Sequence, residues 1–168
     1  TTETPLYDKS KILYGLDKAK EQIKEFDALI IVEGYMDVIA LHQYGLPIGI
    51  ATCGTALTLG HVKLINRHTQ NLIFAFDHDG AGFEATIRGL KVAFQQDLFP
   101  KVLIFPDKFK DIDEYLSQAD LQLDKEKLAE MYEDGFGFVL DQLVQKNDLM
   151  NPVERKKVLT TCFELLSH

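Results

Sequence analysis

The 168-residue sequence predicts an α/β fold: a compact, mainly parallel four-stranded sheet flanked by helices, followed by a small helical subdomain. Three observations predict it. Four apolar runs, Ala28–Val32, Ile48–Thr52, Leu72–Phe76 and Lys101–Phe105, have strand length and little alternation, as strands covered on both faces do. Segments of helical period separate these runs, the pattern of parallel strands joined by helical crossovers. Beyond Asp111 no strand-like run recurs, while Asp111 with Glu114 and Asn151-Pro152 with Glu154 each read as a helix start.

The elements follow in order. Residues 1–27 form an approach segment punctuated by Pro5 and Gly15, with a short polar helix over Leu16–Phe26. The first strand ends at Glu33-Gly34, and a helix from Tyr35 to Tyr44 is closed by Gly45. The second strand runs into the turn Thr52-Cys53-Gly54-Thr55 and a helix around Leu59–His68. The third ends in Asp77-His78-Asp79-Gly80 and feeds a long helix from about Ala81 to Gln96. The fourth ends at Pro106-Asp107, which sets the α/β core at 28–110 and the helical subdomain at 111–168. Breaks are expected near Asp120–Asp124, Gly135 and Asn147–Asn151.

Composition narrows the function. At 46% hydrophobic residues the chain has material for a real core, which excludes disorder as its main state. No apolar run approaches the ~18 residues of a membrane span, and no basic-then-apolar leader follows Thr1, so no membrane partner is expected. Cys53 and Cys162 are too few for a disulfide framework or a four-cysteine zinc site, which points to a cytoplasmic setting. The net charge of −8 excludes tight, unassisted binding to phosphate backbones. If the chain handles nucleic acid, a bound cation or a basic partner must offset that charge.

Ligands of open parallel sheets bind beyond the carboxyl ends of the strands. Three of the four strands deliver acids there: Glu33 with Asp37 one helical turn on, Asp77 and Asp79, and Asp107 followed by Asp111 and Asp113. Asp77 and Asp79, two apart in extended chain, point to one side and repel unless a cation lies between them. Oxygen donors of this kind suit Mg²⁺ or Mn²⁺. Gly80 and Gly82 leave the neighbouring backbone uncrowded for a phosphate. A polar loop after a buried strand would also use Asp and Gly, but Glu33 at a second strand end favours a site. Two other patterns fit locally. Gly80-Ala81-Gly82-Phe83-Glu84-Ala85 fits a dinucleotide fingerprint, with Asp107 as ribose ligand, yet it would set a pyrophosphate against two bare aspartates. Phe76–Gly80 resembles the nucleophile motif of haloacid-dehalogenase phosphatases, but on the third strand instead of the first.

Four segments in order resemble the topoisomerase–primase (Toprim) domain of bacterial replicative DNA primases. They are Glu3-Thr4-Pro5-Leu6-Tyr7 with Leu13–Leu16, Val32-Glu33-Gly34-Tyr35-Met36-Asp37-Val38, Gly54-Thr55-Ala56-Leu57-Thr58, and Phe76-Asp77-His78-Asp79-Gly80-Ala81-Gly82. The resemblance implies a Toprim-type sheet and template-directed nucleotidyl transfer, making short RNA primers on single-stranded DNA. It implies Glu33 as the catalytic acidic residue, a metal ligand or general base, Asp77 and Asp79 as catalytic Mg²⁺ or Mn²⁺ ligands, and Asp111 and Asp113 at a second metal. Asp37 supports the cluster, and Gly54, Thr55, Gly80 and Gly82 lie near the nucleotide. The implied partners are nucleoside triphosphates, the DNA template, the RNA primer and, through a domain absent from this chain, a replicative helicase. A Toprim-type nuclease and a non-catalytic interaction module are the alternatives.

The chain departs from the family at Gly80 and Phe83, where primases often carry Arg, and at Lys108-Phe109-Lys110, where an acidic run is usual. The zinc-binding and basic parts of a primase have no counterpart here, so weak or no synthesis is expected from this chain alone. Arg88 and Lys91 are expected to neutralise nearby acids. His78 is expected to point away from its flanking aspartates. His61, Lys63, Arg67 and His68 read as a solvated basic helix face, Cys53 as a small buried residue, and Met131, Phe136, Phe138, Leu140 and Leu143 as core of the tail.

Overall fold

The computed structural model describes residues 8–52, 54–77, 79–106, 108–119 and 123–167. A short 3-10 turn (Lys9–Lys11) leads into α1 (Leu16–Phe26), β1 (Leu29–Val32), α2 (Tyr35–Gln43), β2 (Gly49–Ala51) and α3 (Leu59–Ile65). Then come β3 (Leu72–Phe74), α4 (Gly80–Phe94), β4 (Lys101–Leu103), α5 (Ile112–Ala119) and α6 (Lys125–Ala129). The chain finishes with β5 (Tyr132–Asp134), α7 (Gly135–Lys146) and α8 (Pro152–Leu166).

The sheet order is β2-β1-β3-β4-β5. The first four strands are parallel, with Ile31 opposite both Ile50 and Phe74. β1 is the central apolar run Leu-Ile-Ile-Val, every residue fully buried, because helices cover both faces. The helices turn one apolar stripe inward: Leu16, Ala19 and Ile23 of α1, and Thr86, Ile87, Leu90, Ala93 and Phe94 of α4. α2 packs on α5, and α8 lies against α4 and α7.

The sheet has five strands where the sequence predicts four. β5 comes from inside the tail and pairs antiparallel with β4, Leu103 facing Tyr132 and Lys101 facing Asp134. Its sequence, Tyr-Glu-Asp, carries no strand-like apolar run, because an edge strand of three residues buries little and is guarded by charge. The backbone supplies its stability: Ile104 N–H donates to Met131 O (2.6 Å) and Gly135 N–H to Pro100 O (3.1 Å). Met131 therefore serves the sheet edge, half-buried, alongside a purely helical tail core of Val139, Leu143, Val158 and Leu165.

Candidate active site

Three strand exits build one acidic edge. β1 ends at Val32, so Glu33 leaves the sheet at its carboxyl side. β3 ends at Phe74, and Asp77 and Asp79 follow on the next loop. Because β1 and β3 run parallel in register, both exits lie on the same edge. β4 leads through Asp111 into α5, whose packing on α2 brings Asp111 and Asp113 towards Asp37.

The same acids hold the local backbone. Asp79 caps α4, its Oδ1 accepting Gly82 N–H at 2.7 Å. Asp111 caps α5 through Glu114 N–H at 2.8 Å, and Asp37 Oδ2 accepts Gly34 N–H at 3.1 Å at the start of α2. Each keeps one carboxylate oxygen free of the cap. Gly82 is set by close approach: a Cβ there would collide with the Asp77 carbonyl oxygen. Its role is thus to seat the loop, while Gly80 faces open space and leaves the approach clear.

Electrostatics show which acids meet. Partial burial raises the Glu33 carboxyl above its ordinary range, although the residue as a whole stays exposed. The charges of Asp77 and Asp79 add to the rise, while the Asp77 backbone N–H and Arg88 oppose it. Asp37 is pushed up to about 6, chiefly by burial, against the Gly34 N–H, with Asp111, Asp77 and Asp113 adding. Asp77 therefore belongs to both groups and links Glu33/Asp79 to Asp37/Asp111/Asp113.

Two clefts flank this edge and share Phe76. One, of about 280 Å³, is lined by Glu33, Thr52, the Gly54–Leu57 turn and Arg88. The other, of about 500 Å³, runs from Asp77 and Asp79 past Phe83 to Phe138 and Lys146 of α7. Among the described residues no three His, Cys, Asp or Glu side chains stand close enough to hold one metal ion as they are. The donor set is all oxygen and mutually repelling, which suits a hard divalent cation. Gathering three of these acids onto one ion requires side-chain rotation.

Several expectations change. His61 is not on a solvated face: it is fully buried, Nδ1 accepting Thr58 N–H at 3.3 Å and Nε2 donating to Lys9 O at 2.7 Å. Lys63 and Arg67 do face solvent. Lys91 pairs with Glu164 of α8 at 2.8 Å, away from the acidic edge. Arg88 does meet its expectation: it lines the smaller cleft together with Glu33, and its charge opposes the rise of the Glu33 carboxyl. His78, Cys53, Asp107 and the segment Glu3–Tyr7 lie outside the described residues.

Residues 30–116 match the Toprim-like family. A DNA primase of Synechococcus elongatus is 36% identical over 172 residues, 98% of this chain and 24% of that protein. The E. coli primase catalytic core superposes with a TM-score of 0.81 at 32% identity, covering 99% of this chain and 53% of that one. The DnaG primase catalytic domain bound to ssDNA gives 0.79 at 32% identity over the same shares. The chain thus spans about a quarter of the length of the curated relatives it matches and about half of the solved chains. With three of its four parallel strands leading to the acids of one edge, it belongs to the Toprim-like family, in the form carried by bacterial DNA primases.

Proposed function

We propose that this chain is the catalytic Toprim part of a DNA primase, a cytoplasmic nucleotidyltransferase that joins ribonucleotides into short RNA primers on single-stranded DNA. The observation that carries the reading is the coupled acidic edge, in which Asp77 links Glu33 and Asp79 to Asp37, Asp111 and Asp113. The relatives described above are named primases, which favours this reading over a nuclease or a non-catalytic module.

Glu33, with its raised proton affinity, acts as the general base for the primer hydroxyl or as a metal ligand. Asp77 and Asp79 hold a divalent ion, Mg²⁺ or Mn²⁺, Asp111 and Asp113 a second, and Asp37 supports them. When bound, such ions neutralise the triphosphate and the departing pyrophosphate. Gly54 and Thr55 border the nucleotide from the β2 turn, and exposed Gly80 and buried Gly82 shape the phosphate approach. The remaining partners are the template, the primer and a replicative helicase contacted through a domain outside residues 1–168.

Calorimetric titration with Mn²⁺, with and without ATP, tests the reading. Wild type should bind, more tightly with ATP. Asp77→Asn and Asp79→Asn should weaken binding about 10-fold or more with the fold retained by circular dichroism. Mutants that bind as well as wild type would overturn the site. With the amino-terminal basic half of a bacterial primase added in trans, Glu33→Gln should cut ribonucleotide incorporation about 100-fold or more.

A further inference from the structure

The 280 Å³ cleft beside Glu33 has a chemistry of its own. Glu33, at the exit of β1, and Arg88 of α4 both line it, and the Arg88 charge acts on the Glu33 carboxyl. Opposite charges so placed usually close into an ion pair, yet among the described residues Glu33 and Arg88 form none. The gap between them is an open cleft of about 280 Å³, with polar and apolar residues both on its lining. Arg88 is exposed, and among the described residues no hydrogen bond, ion pair or ring contact engages it. The third wall is the β2 turn, which adds the half-buried Thr55 and the backbone of Gly54. Gly54 has φ of 81°, a left-handed backbone that glycine favours, and nothing lies within 4 Å of where a Cβ would project, so the turn leaves this side of the cleft uncrowded.

We infer that this cleft is an anion subsite in which the Arg88 guanidinium and the Gly54-Thr55 turn hold a phosphate of a nucleoside polyphosphate, or the pyrophosphate released from it. A guanidinium offers planar, paired donors to phosphate oxygens, and a hydroxyl with adjacent peptide N–H groups completes such a cradle. Glu33 explains why the anion cannot bind alone: its carboxylate repels phosphate unless a divalent cation intervenes. The subsite therefore binds a metal–phosphate pair, the cation on the acidic side and the free phosphate oxygens on Arg88. Thr52, buried behind the turn, and the apolar Phe76 and Ala85 give the cleft a fixed floor.

The inference rests on the primase reading of the acidic edge, and the test separates the two. The 168-residue chain is titrated with Mn²⁺ alone, then with inorganic pyrophosphate at saturating Mn²⁺. Arg88→Gln should bind Mn²⁺ like wild type and weaken pyrophosphate about 10-fold or more, the loss of one charge-assisted contact. Arg88→Lys should recover part of that loss, and Thr55→Val should weaken pyrophosphate without touching Mn²⁺. Unchanged melting temperatures confirm that the variants fold. Arg88→Gln binding pyrophosphate as tightly as wild type would overturn the subsite and leave the acidic edge standing. Pyrophosphate failing to bind to Mn²⁺-loaded wild type would overturn it equally. Loss of Mn²⁺ binding already in wild type would sink the acidic edge and the subsite together.

Discussion

Asp37 carries the clearest electrostatic penalty at the residue scale. Its carboxyl titrates at about 6 in the fold against 3.8 when free. Between those values the folded state holds more protons than the unfolded one. Stability therefore falls as pH rises from 3.8 to 6, and the penalty is complete above 6. A rise of that size corresponds to about 3 kcal/mol at most, which solvent screening reduces to about 1 kcal/mol. Asp37→Asn keeps an oxygen for the Gly34 N–H and removes the charge. In metal-free buffer it should be about 1 kcal/mol more stable than wild type at pH 8 and no more stable at pH 4. Urea unfolding at both pH values decides it, and equal effects at the two would disprove the account. The sequence does announce these acids, since each follows an apolar strand or opens a helix. It announces Asp111 with Glu114 as a helix start, but not that Asp37 and Asp79 also lend an oxygen to one, because a cap and a metal ligand call for the same residue type.

At the scale of elements, a buried histidine joins the approach segment to the turn that borders Glu33. His61 Nδ1 accepts Thr58 N–H, Nε2 donates to Lys9 O, and Thr58 Oγ1 donates to Ser10 O at 2.7 Å. This fixes the neutral tautomer with its proton on Nε2. A second proton would abolish the Nδ1 acceptor, and burial lowers the His61 proton affinity accordingly. The sign is the reverse of Asp37: stability is lost as pH falls through 6.5 towards the depressed folded value. His61→Ala should cost about 2–3 kcal/mol at pH 7, from two lost hydrogen bonds and a small cavity. The advantage of wild type over the variant should shrink between pH 7 and pH 5. Paired denaturant titrations test this, and an advantage independent of pH would refute it. Sequence patterning places α3 but reads His61 as solvated, because its partner Lys9, like Ser10 that accepts from Thr58, lies about fifty residues away. β5 escapes detection for a related reason: its stability comes from β4's backbone, not from its own side chains.

At the scale of the whole molecule, a chain of net charge −8 gathers six of its 26 acidic residues at one sheet edge. Such a distribution opposes the compact state by self-repulsion. Monovalent salt at 0.1–0.15 M screens only beyond about 8–10 Å, so it relieves the distant charges and leaves the close acids largely unrelieved. A divalent cation held between them acts differently, by mass action on the folded state alone. At 100 times its dissociation constant it should stabilise the fold by about 2.7 kcal/mol. For a chain of this size that corresponds to a rise of about 5–10 °C in melting temperature. The decisive control is ionic strength. Mn²⁺ should raise the melting temperature well above the level reached in NaCl of equal ionic strength, and Asp77→Asn should lose most of that excess. Asp77 is the right position because it contributes to both acid groups, so neutralising it disconnects them. An equal rise in NaCl and in MnCl₂ would mean that the edge is merely screened, and the carboxylates would then be a solvated rim rather than a metal-binding surface.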